Sequence, residues 1–233
     1  MLALSNVPNA GGGAMSRVIR SVVFDFEGTL VDFQWRLAEA EAELRRAFAA
    51  HGYATAGNYA ELWNAAADQA APQGRLEALR RALYPVYDRW DADALTRWSP
   101  RPGAAALLRD LSGSGVRTCM VSNVGRAALA AALARFGLDR WLSPVVSRDE
   151  VIHMKPRAEG ALRVLGELKT TPDESLFVGD SRADVLAARA VGMRVAIIRG
   201  GECSEADFAA TPPDHFVARL DEIPGLAGVM GGG

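Results

Sequence analysis

Cysteine is almost missing from this chain: Cys119 and Cys203 are its only two among 233 residues. They show no CxxC or metal-ligand spacing, so no cysteine-based metal centre is expected, and Cys119, inside an apolar strand-like run, reads as a small core residue. Long apolar runs are missing too. None approaches the roughly 18–20 residues that a membrane-spanning helix needs. An excess of one charge is missing: the formal net charge of −2 argues against nucleic acid or an anionic membrane as the main partner. Met1 to Ser16 lacks the basic start and apolar core of a secretory signal, and a cytoplasmic location follows by default. With its Gly11-Gly12-Gly13 run it reads as a flexible leader, 1–16, with Met15 as an alternative start. Lysine is scarce. Of 26 basic residues only Lys155 and Lys169 are lysines, the rest being arginine. His51, His153 and His215 share no spacing, and none is assigned a catalytic role.

What is present is ordinary for a globular protein, with 49% hydrophobic and 23% charged residues. The length suits one domain with a large insertion, or two small ones. Val18 to Phe26 reads as a buried strand. From about Gln34 to Trp98 the chain turns Ala-rich and charged, with helical spacing and no convincing strand. Leu37, Leu44 and Phe48 share a face of a helix ending near Gly52. Helices over 59–71, 75–83 and 85–94 follow, divided at Ala71-Pro72 and Tyr84-Pro85. After Ser99-Pro100-Arg101-Pro102-Gly103 helices and strands alternate: helix 103–111, strand 116–121, helix 126–136, strand 144–147, helix 157–168, strand 175–179, helix 183–191, strand 194–198. Short β-rich runs between helices of 10–13 residues imply an α/β fold with a doubly wound, Rossmann-like parallel sheet. The first strand belongs to that sheet. The expected organisation is a core of 17–32 and 100–228, a helical insertion over 33–99, and a flexible tail over 229–233.

Chemistry-bearing residues stand where the strands stop. Asp25, Glu27, Gly28 and Thr29 close the first strand. Alone, two acids spaced i, i+2 read as well as a turn; the other strand ends decide otherwise. Ser122 and Asn123 follow the strand at 117–121, Lys155 precedes Pro156 and a helix, and Asp180 and Asp184 follow the strand at 175–179. In a parallel sheet these ends share one edge, where open α/β folds bind ligands. One hydroxyl, one lysine and four carboxylates there make a site for phosphate and a divalent cation, with oxygen ligands suited to Mg²⁺. Gly28 allows backbone N–H groups close to a bound anion. A lone lysine is ordinarily a solvated one. In a chain that otherwise uses arginine, Lys155 reads as chosen for its compact point charge.

Asp25-Phe26-Glu27-Gly28-Thr29-Leu30, Val121-Ser122-Asn123, Lys155-Pro156 and Gly179-Asp180-(three residues)-Asp184 resemble the four ordered motifs of the haloacid dehalogenase superfamily. The helical insertion after the first motif resembles the mobile cap of that family's first subgroup, and cap and core together resemble its phosphoglycolate phosphatases. Asp214-His215-Phe216-Val217, before Leu220 and Ile223-Pro224, resembles the family's last strand and turn. The resemblance implies a Mg²⁺-dependent phosphomonoester hydrolase acting on a small phosphorylated metabolite through an aspartyl-phosphate. It implies that Asp25 is the nucleophile and Glu27 the general acid and base. By the same likeness, Mg²⁺ is held by the Asp25 carboxylate, the Glu27 backbone carbonyl and Asp180, with Asp184 helping through water. Ser122, the backbone N–H of Asn123, Lys155 and the Gly28 turn then receive the phosphate. Position 27 departs from the pattern. Most of the family's phosphatases carry Asp there, although the enolase-phosphatases resemble this chain in carrying Glu.

Three alternatives remain at this level: a haloacid dehalogenase, against which Glu27, Asp180 and Asp184 speak; a phosphomutase on the same aspartyl-phosphate; and a non-catalytic binding protein that kept the fold. No partner beyond a small phosphate ester is expected, and the chain is expected to be a monomer or homodimer. In the insertion, Gln34, Trp35 and Arg36 follow the first motif closely, and Arg75 follows a Pro-Gln-Gly turn. Either arginine could receive a substrate carboxylate. The competing reading packs Trp35 and Trp63 in the bundle and leaves Arg75 in solvent.

Overall fold

A computed structural model describes residues 18–229. The leader expected over 1–16, including Met15, and residues 230–233 of the expected tail lie outside them. In chain order the elements are β1 (Ser21–Phe24), α1 (Leu37–Ala50), α2 (Tyr59–Ala70), α3 (Leu76–Leu95), α4 (Ala104–Gly113), β2 (Arg117–Val121), α5 (Arg126–Phe136), β3 (Val145–Val146), α6 (Glu159–Leu168), β4 (Ser175–Gly179), α7 (Arg182–Ala190), β5 (Arg194–Ile198), β6 (His215–Val217) and α8 (Ile223–Leu226). The strands form one sheet in the order β3-β2-β1-β4-β5-β6, with every pairing parallel. This is the doubly wound α/β fold expected. Its strand order reverses at β1, so the crevice beyond the carboxyl ends of β1, β2 and β4 is where such a sheet binds ligands.

Both faces of the sheet are covered, which is why its strands are apolar throughout rather than alternating. Val23, Cys119, Phe177 and Val195 pack on one face against Val164 and Leu165 of α6 and Val185 of α7. Val22, Phe24, Met120 and Leu176 pack on the other, in a core shared with Leu107 and Leu111 of α4, Leu129 of α5 and Ile223 of α8. That second core continues into the helical insertion through Phe26, Leu30 and Trp98.

Two expectations need correction. The first strand is shorter than 18–26. Val18 is 76% exposed, and pairing starts only at Ser21. Past Phe24 the chain leaves the sheet in a tight turn, with the N–H groups of Thr29, Leu30 and Val31 all donating to the carbonyl of Phe26. The second concerns Pro85, which does not break the insertion's last helix: α3 runs on through it. An interior proline costs a helix about 3 kcal/mol. Here the turns on either side are anchored, Tyr84 Oη donating to the Arg148 carbonyl at 3.1 Å and Tyr87 Oη to the Tyr59 carbonyl at 2.7 Å. Local propensity yields to packing, and the insertion has three helices and a single 3₁₀ turn at 71–73 instead of four helices.

The two strands of chain that lead into and out of the insertion are paired. Asp32 N–H donates to the Ser99 carbonyl at 3.0 Å, Ser99 N–H donates to Asp32 Oδ1 at 2.7 Å, and Val31 bridges Pro100 in antiparallel fashion. Among the described residues no helix is long and apolar enough to cross a membrane.

Candidate active site

Asp25, Ser122 and Asp180 each sit one residue past the end of a neighbouring strand, β1, β2 and β4 respectively. Their convergence follows from the topology. Lys155 enters from the loop before α6, and its Nζ donates to Asp25 Oδ1 and to Asp184 Oδ1, each at 2.6 Å. Asp184 is held from its other side by the N–H groups of Asp180 and Ser181 and by Ser181 Oγ, at 3.1, 3.0 and 2.7 Å, as part of the capping box that starts α7. Asp180 Oδ1 accepts from Thr29 Oγ1 at 3.3 Å and its Oδ2 from the Glu202 N–H at 2.5 Å. Gly28 makes this possible in two ways. Its φ is +79°, in the left-handed region open to glycine, and a Cβ there would lie 2.0 Å from Asp180 Oδ2. Asn123 ties the site together, accepting from the Lys155 N–H at 2.9 Å and donating to its carbonyl at 3.2 Å.

Asp25, Asp180 and Asp184 are buried, and one carboxylate oxygen from each lies within 4.8 Å of the other two. Three such acids share one lysine, which leaves negative charge uncompensated. Burial pushes Asp25 up to about 6 against the pull of Lys155, Asp184 adding to the rise. Burial and then the charges of Asp25 and Asp184 hold Asp180 well above the ordinary carboxylate range. Burial works against the Lys155 ammonium, but Asp184 and Asp25 outweigh it and raise its pKa. A divalent cation among these hard oxygen donors would supply the missing charge, so the residues fit such an ion.

Glu27, two residues from Asp25, has a different environment. Its Oε1 accepts from the backbone N–H groups of Gln34 and Trp35, both at 2.7 Å, and from Trp98 Nε1 at 2.9 Å. No cation pairs with it among the described residues. Burial pushes its carboxyl up to about 7, and these three donors only partly oppose the rise. A carboxyl poised there can give or take a proton near neutral pH.

Beyond the acids a cavity of about 450 Å³, including its mouth, extends toward the insertion. Phe33, Trp35, Leu37, Tyr59 and Val124 form its apolar wall, with Asp91 and Glu202 as further acids. Neither Arg36 nor Arg75 lines it. Arg36 is exposed and approaches Asp93 at 3.8 Å, and Arg75 is exposed past the 3₁₀ turn. The packing reading of the insertion is the one the structure supports: Trp63 is fully buried and Trp35 nearly so. Trp35 also works at the site, since its backbone holds Glu27 while its Nε1 donates to Asp91 Oδ1 at 3.0 Å.

Asp91, Arg148, Trp98 and Glu202 were not legible as site residues. Asp91 Oδ2 accepts from Gly125 N–H at 2.9 Å and from Arg148 Nη1 at 2.5 Å. The Arg148 guanidinium, wholly buried, lies 5.3 Å from the rings of both Tyr84 and Tyr87. One acid on a highly charged helix gives no signal of its own. Only Trp98 had one, as an aromatic beside the Ser99-Pro100 exit from the insertion.

Residues 19–192 match the haloacid dehalogenase-like hydrolases. A phosphoglycolate phosphatase of Yersinia pestis is 29% identical over 218 residues, covering 89% of this chain and 92% of its own. The plasmid-borne phosphoglycolate phosphatase of Cupriavidus necator is 35% identical over 125 residues, 54% of either chain, so that match spans about half of each. The solved structure of a HAD-superfamily hydrolase, subfamily IA, from Geobacter sulfurreducens superposes with a TM-score of 0.58 at 24% identity, over 89% of this chain and 99% of its own, and shows the shared fold. The chain belongs to the haloacid dehalogenase-like hydrolases. Its near-full-length relatives are phosphatases, and it is a phosphatase of this family.

Proposed function

We propose that the protein is a Mg²⁺-dependent phosphomonoester hydrolase that works on a small phosphorylated metabolite through an aspartyl-phosphate. The observation that carries this reading is the contrast between Asp25 and Glu27. Two residues apart, one carboxylate lies against an ammonium and two further acids, while the other is buried among N–H donors with its pKa near 7. That is the division of labour a nucleophile and a proton carrier need.

Asp25, Asp180 and Asp184, with the Glu27 backbone carbonyl, would hold the Mg²⁺, whose chemistry is to neutralise charge on the phosphate and on the attacking carboxylate. Ser122, the Asn123 N–H, Lys155 and the Gly28 turn receive the phosphate oxygens. An Asp25 carboxylate oxygen forms a bond to phosphorus as the bond to the alcohol oxygen breaks, and the Glu27 proton passes to that leaving oxygen. In the second step Glu27, now ionised, takes a proton from water as the water oxygen bonds phosphorus and the Asp25–phosphorus bond breaks. Phosphate leaves, and both acids return to their starting states. Paired linkers and a three-helix insertion over the cavity support its opening and closing as a lid.

The test is hydrolysis of p-nitrophenyl phosphate by the purified protein with Mg²⁺ and with excess EDTA. Turnover is expected with the metal and should vanish without it. Equal activity in both would overturn the metal-dependent reading.

A further inference from the structure

The cavity lining has a charge pattern with a consequence for the leaving group, if the hydrolase reading holds. Among the described residues lining the cavity, the only basic side chain is Lys155, already committed to Asp25 and Asp184. Nothing there can neutralise a carboxylate on the substrate. The acids differ in how far they are already engaged. Asp91 is saturated by Trp35, Gly125 and Arg148. Glu27 Oε1 already accepts from three N–H donors, and Asp25, Asp180 and Asp184 face one another around Lys155.

Glu202 is the exception. Its backbone N–H is fixed on Asp180 Oδ2, which places the residue at the rim of the acid cluster. The residue lines the cavity, and its carboxylate makes no hydrogen bond or ion pair among the described residues. Across the same cavity Trp35 and Tyr59 form an aromatic pair with ring centroids 5.0 Å apart. A half-buried carboxylate with no hydrogen bond or ion pair among the described residues, in a cavity that also presents aromatic rings, matches an ammonium group: it supplies a charge-assisted hydrogen bond, and the rings attract the cation. The modest cavity keeps the carrier short.

We infer that the leaving group is a short amino alcohol, its ammonium held by Glu202 against Trp35 and Tyr59, and that a carboxylate-bearing alcohol is disfavoured. Glu202 is thus a specificity residue, at a position that carries no motif. The inference separates this chain from the substrate in the names of its relatives, whose glycolate moiety carries the opposite charge.

Three esters of matched size test it: 2-aminoethyl phosphate, propyl phosphate and phosphoglycolate, with p-nitrophenyl phosphate as the general substrate. The ratio of kcat/KM for the aminoethyl over the propyl ester should exceed about tenfold, the range of one charged hydrogen bond, with phosphoglycolate last. In Glu202→Gln that ratio should fall by about tenfold, and Glu202→Lys should move phosphoglycolate ahead of the aminoethyl ester. The inference is overturned if the wild type hydrolyses phosphoglycolate at least as well as propyl phosphate. It is overturned equally if Glu202→Gln slows all three esters by one factor, which would make Glu202 part of the phosphate and metal machinery. No turnover of p-nitrophenyl phosphate by the wild type would instead remove the hydrolase reading, and the inference with it.

Discussion

The two sides of the cavity handle charge in opposite ways. On the sheet side, Asp25, Asp180 and Asp184 crowd around one lysine and keep a surplus of negative charge that burial makes costly. On the insertion side the deepest charge, Asp91, is answered by three donors, Trp35 Nε1, Gly125 N–H and Arg148 Nη1, and the Arg148 guanidinium in turn lies over two tyrosine rings. One side is held in electrostatic tension that a metal and a phosphate can relieve; the other is a settled wall. The proposed phosphate chemistry falls on the first; the second contributes the Trp35 and Tyr59 rings of the proposed leaving-group pocket, whose carboxylate, Glu202, comes from the loop after β5. Glu27 stands at the seam. It is covalently part of the sheet side but is held by Gln34, Trp35 and Trp98, which belong to the insertion and its exit.

The largest effect should come from the sheet side. Asp25→Asn replaces the proposed nucleophile by an amide and should lose more than about 10³-fold in kcat while relieving repulsion within the acid cluster. Its melting temperature should therefore stay level or rise. A variant that kept a tenth of wild-type turnover would place the nucleophile elsewhere.

On the insertion side the effect should fall on stability first. Arg148→Met leaves the buried Asp91 carboxylate without its cation, and breaking a buried pair from one end costs about 3–5 kcal/mol, or roughly 10 °C in melting temperature for a chain of this size. Adding Asp91→Leu should restore much of that loss. If Arg148→Met melted within 2 °C of the wild type, the insertion wall would not be the settled region described.

The smallest effect belongs to the seam. Trp98→Phe keeps the ring packed edge-on against Phe26, now 5.1 Å away, but removes one hydrogen bond to Glu27. Those bonds favour the ionised carboxylate, so losing one raises the pKa of Glu27. The descending limb of kcat/KM should move to higher pH, by less than about one unit. A shift to lower pH would mean that Trp98 does not act through this bond.

The same division governs what the chain reveals unaided. Asp25, Ser122 and Asp180 stand directly after an apolar strand, because a parallel sheet gathers strand ends on one edge, while Lys155 before Pro156 and Asp184 four residues after Asp180 were legible by their spacing from those ends. Their neighbours in space are neighbours of the motifs. The insertion offers no such rule. Asp91 meets Arg148 across 57 positions and Trp98 reaches Glu27 across 71, contacts set by how helices dock and not by local pattern. Pro85 shows the same limit, since its helix persists through tyrosine contacts far from it in sequence. Glu202 lay in a loop after β5, where a single acid among glycines carries no periodicity at all.

If a neutral Glu27 carboxyl delivers the proton to the leaving oxygen, the first step must follow the protonation of that group. Single-turnover rates of the first step, followed from pH 5 to 9 with an alkyl phosphate and with p-nitrophenyl phosphate, address it most directly. With the alkyl ester the rate should fall as pH rises through about 7, the value to which burial pushes Glu27, since only the protonated carboxyl donates. p-Nitrophenolate leaves without a proton, so its rate should show little of that limb. Glu27→Gln should slow the alkyl ester by about 10²–10⁴-fold and the activated ester far less, allowing aspartyl-phosphate to accumulate on the latter. A first step that slowed equally on both esters, or an alkyl rate flat through pH 7, would contradict the account.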